Sequence, residues 1–249
     1  MAFITTISRM RSGKIPSCSA VIAAAGSSRR MGGEDKLFIS INGAPVLAHT
    51  LAAFQKCRYI DEIIIVTNEK NIERAGEICA QFDISKASKI IIGGDTRLVS
   101  VMNGVFAVSG KAKLIVIHDC ARPCIEQAVI ERTIETAAKY HAAAPATPIS
   151  STIKKAENNI IFQTIDREGL FEIQTPQVFA AALIKAALTK AFKKSIDVTD
   201  DCMAVELIGA TVHITEGARS NIKLTANEDV MIARAILAQK QILELGEKS

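Results

Sequence analysis

Short apolar runs alternate with amphipathic stretches along the first 150 residues of the chain. The apolar runs predict buried strands at residues 20–25, 37–41, 60–67, 89–92, 114–118 and 142–147. Apolar positions spaced three or four apart predict helices at residues 45–56, 71–82, 97–108 and 126–140. Strands that alternate with helices pair in parallel through right-handed crossovers. This part of the chain therefore predicts an α/β fold with a parallel sheet.

The alternation breaks at residues 150–174, which are polar with short apolar pieces. Two such pieces, at 151–155 and 160–164, flank an Asn158-Asn159 turn, and this pattern predicts a hairpin arm. An arm with little core of its own commonly packs on a partner subunit, so we expect a homodimer. A flap that folds onto its own domain is the alternative.

The α/β pattern returns after the arm. Further elements are predicted as a helix within 176–194, a helix capped by 197–201 and running to 207, a strand at 210–215, a short strand at 221–225 and an amphipathic helix at 227–245. Residues 18–249 thus form one domain that carries the arm at 150–174. Residues 1–17 are basic and polar, lack the apolar core of a secretory signal, and are predicted to be a flexible extension.

Composition narrows the class of protein. The charges are scattered, the net charge is +4, and only 4% of residues are aromatic, which disfavours a nucleic-acid partner. Without an apolar run near the roughly 20 residues that span a bilayer, we expect no membrane segment. The six cysteines include no C-x-x-C pair, so we expect free thiols in a reducing compartment, the cytoplasm.

A strand followed by a loop of small residues and cations lies near the start of the domain. The loop holds Gly26-Ser27-Ser28, then Arg30 and Lys36. Small residues let backbone N–H groups approach a phosphate, and the two cations add positive charge, so a nucleoside triphosphate site is predicted. An ordinary strand-to-helix turn is the alternative. Neither the dinucleotide fingerprint nor the Walker pattern is present, which argues against an oxidoreductase.

Two more loops follow predicted parallel strands, and ligands of such sheets gather at the carboxyl ends of the strands. In residues 93–97, the Gly93-Gly94 pair allows close approach to a base or ribose, with Ser100 one turn further on. The other loop begins with Asp119, a candidate Mg²⁺ ligand, and continues to Arg122, a candidate phosphate anchor. The alternative for residues 93–97 is a helix start capped by Asp95 or Thr96, and the alternative for Asp119 is a helix-capping or turn aspartate. The converging cations and carboxylate suit nucleotidyl transfer, in which positioning and charge supply most of the catalysis.

Several motifs together carry a resemblance to a known family. They are Ala24-Ala25-Gly26 with Arg30, Met31 and Lys36; Gly93-Gly94-Asp95-Thr96-Arg97 with Ser100; His118-Asp119-Cys120-Ala121-Arg122-Pro123; Thr175-Pro176-Gln177; Thr199-Asp200-Asp201; and Asn221-Ile222-Lys223-Leu224-Thr225. In this order they resemble the 2-C-methyl-D-erythritol 4-phosphate cytidylyltransferases, from about Ser19 to Leu237. The resemblance implies a Rossmann-like nucleotidyltransferase fold of three α/β/α layers, with a mostly parallel sheet and a protruding β-arm.

The resemblance also implies a reaction and a set of roles. CTP and methylerythritol phosphate would be joined, with release of pyrophosphate, in isoprenoid precursor synthesis. The implied catalytic cations are Arg30, Lys36, Arg167 and Lys223, and Asp119 is the implied Mg²⁺ ligand. The implied nucleotide contacts are Ala24, Ala25, Gly26, Gly94, Asp95, Arg97, Ser100 and Ala121. The implied acceptor contacts are Arg122, Thr152, Arg167, Thr175, Thr199 and Lys223, of which Thr152 and Arg167 reach across a homodimer to the partner's site.

The chain departs from the family pattern at three places. The spacing from Arg30 to Lys36 is one residue shorter and is similar to that of molybdenum-cofactor guanylyltransferases. Cys120 replaces a small alanine, and Ser151 stands where an acidic residue is expected. A molybdenum-cofactor guanylyltransferase, an alditol-phosphate cytidylyltransferase and a non-catalytic nucleotide-binding module therefore stay open as alternatives.

Overall fold

A computed structural model describes residues 15–26 and 35–246, with side chains up to residue 243. Most of the predicted N-terminal extension, residues 1–14, lies outside the described residues. The last part of the predicted extension belongs to the domain. The Ser17 carbonyl accepts hydrogen bonds from the backbone N–H groups of Lys113 and Leu114, at 2.9 and 3.1 Å. The folded domain therefore begins before Cys18.

The described residues form twelve strands and seven α-helices. The strands are β1 (Cys18–Ala24), β2 (Ser40–Ile41), β3 (Ala44–Pro45), β4 (Ile60–Thr67), β5 (Ala87–Ile92), β6 (Leu114–Asp119), β7 (Ala142–Pro148), β8 (Ile153–Glu157), β9 (Ile160–Ile165), β10 (Phe171–Ile173), β11 (Gln177–Ala180) and β12 (His213–Glu216). The helices are α1 (Val46–Lys56), α2 (Ile72–Gln81), α3 (Arg97–Ala107), α4 (Gln127–Tyr140), α5 (Ala181–Lys193), α6 (Asp201–Glu206) and α7 (Asn227–Gly246).

Eight of these strands form the central sheet, in the order β10-β7-β11-β6-β1-β4-β5, with β12 also paired to β7. The pairings among β1, β4, β5 and β6 are parallel, as is that of β12 with β7, whereas β10 and β11 run antiparallel to their neighbours. The predicted mostly parallel sheet is confirmed. Its parallel centre brings the carboxyl ends of β1, β5 and β6 to one edge.

Helices cover both faces of the sheet, because successive side chains of each central strand point to opposite faces. In β1, Ala20 and Ile22 face a core that also contains residues of α1, α2, α4 and α7. Val21 faces the other core, formed with α3, α5 and α6. The predicted three-layer α/β/α arrangement is thereby confirmed.

Two sheet strands were absent from the sequence prediction. β11 lies in the segment 176–194, for which only a helix was predicted, because a four-residue run joined to a helix shows no periodicity of its own. β10 fell within the predicted arm of residues 150–174, yet it pairs with β7 from Phe171 to Ile173. The protruding part of that segment therefore ends before β10.

Of two short predicted strands, one is present only at its last two residues and the other is absent. Residues 37–41 form a 3-10 turn over Lys36–Phe38 before β2 begins at Ser40. Residues 221–225 are irregular and join no sheet. In that segment the Leu224 N–H donates to the Ala121 carbonyl at 2.8 Å. Local side-chain and loop partners thus replaced the strand pairing that the apolar residues suggested.

The predicted hairpin is present as β8 and β9. Its turn residues Asn158 and Asn159 both have positive φ, 49° and 64°, as a two-residue hairpin turn requires. Beyond the turn, Ile160, Ile161 and Phe162 are 70%, 62% and 62% exposed. The hairpin therefore presents an apolar surface that its own domain does not cover.

Within residues 15–26 and 35–246, none of the helices combines the length and the apolar character of a membrane-spanning segment.

Candidate active site

A cleft of about 580 Å³ opens at the carboxyl edge of the parallel strands. It is bordered by the loops that follow β1, β5 and β6 and by the loop that carries Lys223. Its lining residues are Ala23, Ala24, Ala25, Gly26, Lys36, Leu37, Asn68, Gly94, Asp95, Thr96, Arg97, Ser100, Asp119, Ala121 and Lys223. The loops that sequence topology predicted to converge therefore meet in one place.

Lys36 reaches the cleft from the 3-10 turn that follows the first loop. Its ammonium donates to the Leu224 carbonyl at 3.0 Å, which links this turn to the loop that carries Lys223. Burial and the nearby charge of Lys223 lower the pKa of Lys36. Residues 27–34, including Arg30, lie outside the described residues, so the expected role of Arg30 stays a prediction.

Gly93 and Gly94 bring the backbone after β5 to the cleft wall. A Cβ at Gly94 would overlap the Val99 side chain, and one at Gly93 would lie 2.6 Å from the Ala25 Cβ. The Gly94 N–H donates to the Ser100 hydroxyl at 3.0 Å. Close packing, rather than a positive φ, thus requires glycine at both positions.

The start of α3 is capped as the sequence suggested. The Thr96 hydroxyl accepts from the Val99 N–H at 3.2 Å, and Thr96 is therefore the cap rather than Asp95. The capped first turn fixes Arg97 and Ser100 at the cleft, where both line the wall.

Asp119, at the end of β6, lies between two cations. Its Oδ2 is 2.7 Å from the Lys223 ammonium, and its Oδ1 is 3.5 Å from the Arg97 guanidinium. Burial acts to raise the pKa of Asp119, but the charges of Arg97 and Lys223 outweigh it and hold that pKa well below its usual range. Asp119 is therefore a carboxylate at neutral pH.

Arg97 has a second, fully buried partner that the sequence prediction did not identify. Its guanidinium contacts both carboxylate oxygens of Asp201, at 3.1 and 2.8 Å. Although burial disfavours the charged form, the carboxylates raise the pKa of Arg97 above its usual value. Asp200, next in the chain, caps α6 through Met203 N–H at 2.9 Å. Arg97 thus joins α3 to the start of α6 while it lines the cleft.

His118 and Thr175 support the Asp119 backbone from inside the protein. The Thr175 hydroxyl accepts from the Asp119 N–H at 3.2 Å and lies 2.9 Å from His118 Nδ1. His118 Nε2 lies 3.3 Å from the Arg122 carbonyl, which can only accept. The Arg122 carbonyl therefore requires a proton on Nε2. Burial lowers the pKa of His118 to about 3, so the imidazole is neutral.

Arg122 lies beside the cleft without lining it. It is 7% exposed, and its guanidinium donates to the Asn221 carbonyl at 2.7 Å. The Asn221 amide in turn donates to the Thr175 carbonyl at 2.8 Å. Within the described ranges, Arg122 Nε and Asn221 Oδ1 are buried without a hydrogen-bond partner. The Nε donor of Arg122 therefore lies unpaired near the loop that begins at Asp119.

Besides Arg122, four residues predicted to contact the acceptor do not line the cleft of this chain. Thr199 is exposed before α6, and its hydroxyl is 3.7 Å from the Met203 sulphur. Thr152 and Arg167 are exposed on the arm, where Arg167 contacts the Ser150 carbonyl. Thr175 is buried beneath Asp119, as described above. A single subunit therefore does not gather the whole predicted acceptor site.

The part of the chain that the structure describes contains no group of three His, Cys, Asp or Glu side chains that could enclose a metal. Asp119 offers one ionised carboxylate at the open cleft. Mg²⁺ is usually held by one or two carboxylates together with substrate phosphates and water, so this donor set fits Mg²⁺ brought in with a nucleotide. It does not fit a resident structural metal.

Sequence reasoning missed Asn68 and Leu37 as lining residues and Asp201 as the partner of Arg97. Asn68 follows β4, and a polar residue after a parallel strand was a usable signal. The pairing of Arg97 with Asp201 joins residues 104 apart in the sequence, and nothing in the local pattern indicates it.

The arrangement can hold a polyphosphate. A half-buried lysine and a second lysine beside an ionised aspartate converge on one cleft. Such groups bind phosphate oxygens and stabilise the negative charge that develops in a phosphoryl-type transfer.

Comparison with known proteins adds an independent result. Residues 18–239 match the family model described as 2-C-methyl-D-erythritol 4-phosphate cytidylyltransferase. A protein of that name from Halalkalibacterium halodurans is 45% identical over 224 residues, covering 90% of this chain and 98% of the relative. One from Dehalococcoides mccartyi is 40% identical over 219 residues, covering 88% of this chain and 95% of the relative.

Solved structures agree with the sequence comparison. The 4-diphosphocytidyl-2C-methyl-D-erythritol synthase of Anaerococcus prevotii superposes with a TM-score of 0.79 at 31% identity, covering 90% of this chain and 96% of that one. The 2-C-methyl-D-erythritol 4-phosphate cytidylyltransferase of Thermus thermophilus has a TM-score of 0.75 at 28% identity, covering 88% and 98%.

Proposed function

The chain belongs to the 2-C-methyl-D-erythritol 4-phosphate cytidylyltransferase family, and we propose that its cleft is where CTP and methylerythritol phosphate react. The enzyme is a nucleotidyltransferase of the non-mevalonate isoprenoid pathway. The observation that carries this proposal is the meeting of Lys36, Asp119 and Lys223 at the edge of the sheet where the Gly93-Gly94 backbone also lies.

The cytidine half of CTP is assigned to the wall formed by the loops after β1 and β5. Gly94 and Ser100 line this wall, and the hydrogen bond from the Gly94 N–H to the Ser100 hydroxyl fixes its shape. Because close packing excludes a side chain at Gly93 and Gly94, the backbone itself would contact the cytosine base. A rigid backbone wall selects a base by shape and hydrogen-bond pattern at little entropic cost.

The triphosphate is assigned to the space beside Lys36 and Lys223. In the reaction, a phosphate oxygen of methylerythritol phosphate attacks the α-phosphorus of CTP. The new P–O bond forms as the bond to the β-phosphate oxygen breaks, and pyrophosphate leaves with that electron pair. Lys36 and Lys223 hold the charged oxygens and stabilise the charge that builds on them. Arg30 is expected to assist from the loop of residues 27–34.

Mg²⁺, held by Asp119 and the phosphates, would neutralise phosphate charge when bound. Asp119 meets this need because its pKa is held well below its usual range and it stays ionised. Lys223 sits 2.7 Å from the same carboxylate, so it can exchange part of that contact for a phosphate oxygen.

The acceptor is assigned to a site shared by two subunits. Thr152 and Arg167 are exposed on the arm, away from the cleft walls of their own chain. The exposed Ile160, Ile161 and Phe162 of the same arm supply an apolar surface suited to a second copy. In the proposed homodimer, Thr152 and Arg167 of one subunit reach the other subunit's cleft, where Lys223 binds the phosphate of methylerythritol phosphate. The buried Arg122 adds positive charge from beside that cleft.

The protein is assigned to the cytoplasm. Its six cysteines are free thiols, and five of them are buried, which suits a reducing compartment.

Pyrophosphate release with each candidate substrate pair tests the proposed function. The purified protein is incubated with Mg²⁺ and CTP or GTP, and with methylerythritol phosphate, an alditol phosphate or molybdopterin as acceptor. We expect release with CTP and methylerythritol phosphate and little with the other pairs. Activity with GTP but none with CTP would support the guanylyltransferase alternative, and binding of CTP without turnover would support the nucleotide-binding module.

A further inference from the structure

Residues that do not line the cleft fix the position of the 3-10 turn that carries Lys36. Asp35 caps this turn, because its Oδ1 accepts from the Leu37 N–H at 3.2 Å. Its Oδ2 accepts from the Asn71 side-chain amide at 2.7 Å. Asn71 is only 6% exposed and lies 36 residues further along the chain, directly before α2. Both oxygens of the Asp35 carboxylate are therefore fixed.

A second contact comes from the same helix. The Arg74 guanidinium lies over the Phe38 ring, 4.1 Å from its centroid, and Phe38 is buried. The first turn of α2 thus contacts the residue before Lys36 through Asn71 and the end of the 3-10 turn through Arg74. Asn68, three residues before Asn71, lines the cleft, so this brace is continuous with the cleft wall.

The geometry of Lys36 depends on this brace. The Lys36 ammonium reaches the Leu224 carbonyl at 3.0 Å, from a backbone that begins at Asp35. A rotation of the turn moves the ammonium relative to Asp119 and Lys223, whose charges act on it. A displacement of about 1 Å of a catalytic group can lower a rate by about 100-fold.

We propose that Asn71 is a positioning residue for Lys36. By binding the Asp35 carboxylate, Asn71 fixes the orientation of the 3-10 turn and thereby sets where the Lys36 ammonium meets the triphosphate of CTP. This inference rests on the proposed function of the cleft. Capping of the turn needs only Asp35 Oδ1, so the Asn71 contact adds orientation to a turn that is already capped.

Exchanging the two side chains tests the proposal. Asn71→Asp places two carboxylates against each other, and we expect kcat/KM for CTP to fall at least about 10-fold. Asp35→Asn retains an acceptor for the Leu37 N–H. The Asn71 amide can turn so that its oxygen accepts from the new amide at position 35, so we expect kcat/KM for CTP to fall by no more than about threefold. The double variant restores a donor and an acceptor in exchanged positions, and we expect recovery to within about threefold of the parent.

Three further readouts separate positioning from simple folding. The thermal midpoint is measured for every variant, and KM for methylerythritol phosphate is expected to stay within about twofold, since Lys36 contacts the nucleotide. CTP affinity is titrated calorimetrically without acceptor and is expected to weaken in Asn71→Asp alone. Asn42→Asp is the matched control, because the exposed Asn42 amide donates to the Arg234 carbonyl at 3.0 Å, away from the cleft walls.

Parental kcat/KM and CTP affinity in Asn71→Asp overturn the proposal. So does an activity loss that the exchanged pair fails to recover, or a loss that follows only the folded fraction. Failure of the proposed function looks different: the parental protein then gives no pyrophosphate from CTP and methylerythritol phosphate. Even in that case the CTP titrations decide whether Asn71 positions Lys36 for a nucleotide.

Discussion

Lys223 and Asp119 neutralise each other in the cleft, where their charged atoms are 2.7 Å apart. The ion pair has two effects. It directs the lysine into the cleft, and it keeps the carboxylate ionised. A nucleotide carrying Mg²⁺ would supply a counter-charge for each member. This exchange of partners is the residue-scale basis of the proposed mechanism.

Removal of Lys223 is predicted to abolish most turnover. In Lys223→Ala we expect kcat to fall about 100- to 1,000-fold, the usual loss for one preorganised electrostatic group. Arg97 still contacts Asp119 at 3.5 Å, so the fold should persist, with a far-ultraviolet spectrum like that of the parent. Lys193→Ala, on the exposed end of α5, is the control. A parental kcat in Lys223→Ala would show that the assigned role is wrong.

The alkaline side of the pH profile is predicted to depend on Lys36. Only the ammonium form holds phosphate, and burial beside Lys223 lowers the pKa of Lys36, so kcat/KM for CTP should fall at lower pH than an ordinary lysine allows. In Lys36→Arg the guanidinium stays charged, and the fall should move to higher pH. The profiles are measured from about pH 7 to about pH 10. Identical alkaline limbs would exclude Lys36 as the titrating group.

At the scale of elements, apolar patterning predicted the central strands and most helices, because burial on both faces of a sheet makes continuous apolar runs. It failed for β10 and β11, which are short and stand beside a polar arm and a helix. It also failed at residues 37–41 and 221–225, where side-chain capping and loop contacts decide the backbone. Those two segments border the cleft, and local rules commonly give way at such sites.

Helix α3 is predicted to tolerate no side chain at Gly104. A Cβ there would overlap Val21 and lie 2.8 Å from Val66 Cγ2, so α3 would have to move away from β1 and β4. We expect Gly104→Ala to lower the free energy of unfolding by about 1–3 kcal/mol in urea.

Gly76→Ala in α2 is the matched control for Gly104→Ala. The nearest atom to its added Cβ is Ile90 Cδ1 at 3.8 Å, an ordinary contact. Here the better helix propensity of alanine should raise the free energy of unfolding by about 0.5–1 kcal/mol. Equal effects at the two glycines would show that α3 does not pack on the sheet as described.

At the scale of the whole molecule, the motifs scattered from Ala24 to Lys223 are brought together by topology. Parallel strands end at one edge, so the loops after β1, β5 and β6 could be predicted to meet. The buried contacts behind them could not, since the pairing of Arg97 with Asp201 depends on how α6 packs against α3. In the proposed homodimer, the positions of Thr152 and Arg167 relative to a cleft depend on the second subunit.

The proposed homodimer predicts complementation between inactive variants. Lys223→Ala and Arg167→Ala each spoil every site of their own homodimer. A mixed dimer contains one site with both substitutions and one intact site, so after full subunit exchange about a quarter of the parental activity should return. The mixture is assayed for pyrophosphate release after subunit exchange in mild denaturant. Two separately exchanged parental samples are the control, and a mixture that stays inactive would place Arg167 in the same subunit's site.

The central claim is that one cleft holds the triphosphate between Lys36 and Lys223, with Asp119 as the metal ligand. A crystal structure of the protein with CTP and Mg²⁺ tests it most directly. The account predicts phosphate oxygens within hydrogen-bond distance of both ammonium groups, Mg²⁺ bound to Asp119, and cytosine against the Gly93-Gly94 backbone. A nucleotide bound in another part of the molecule, or in this cleft with its phosphates turned away from Lys36 and Lys223, would contradict it.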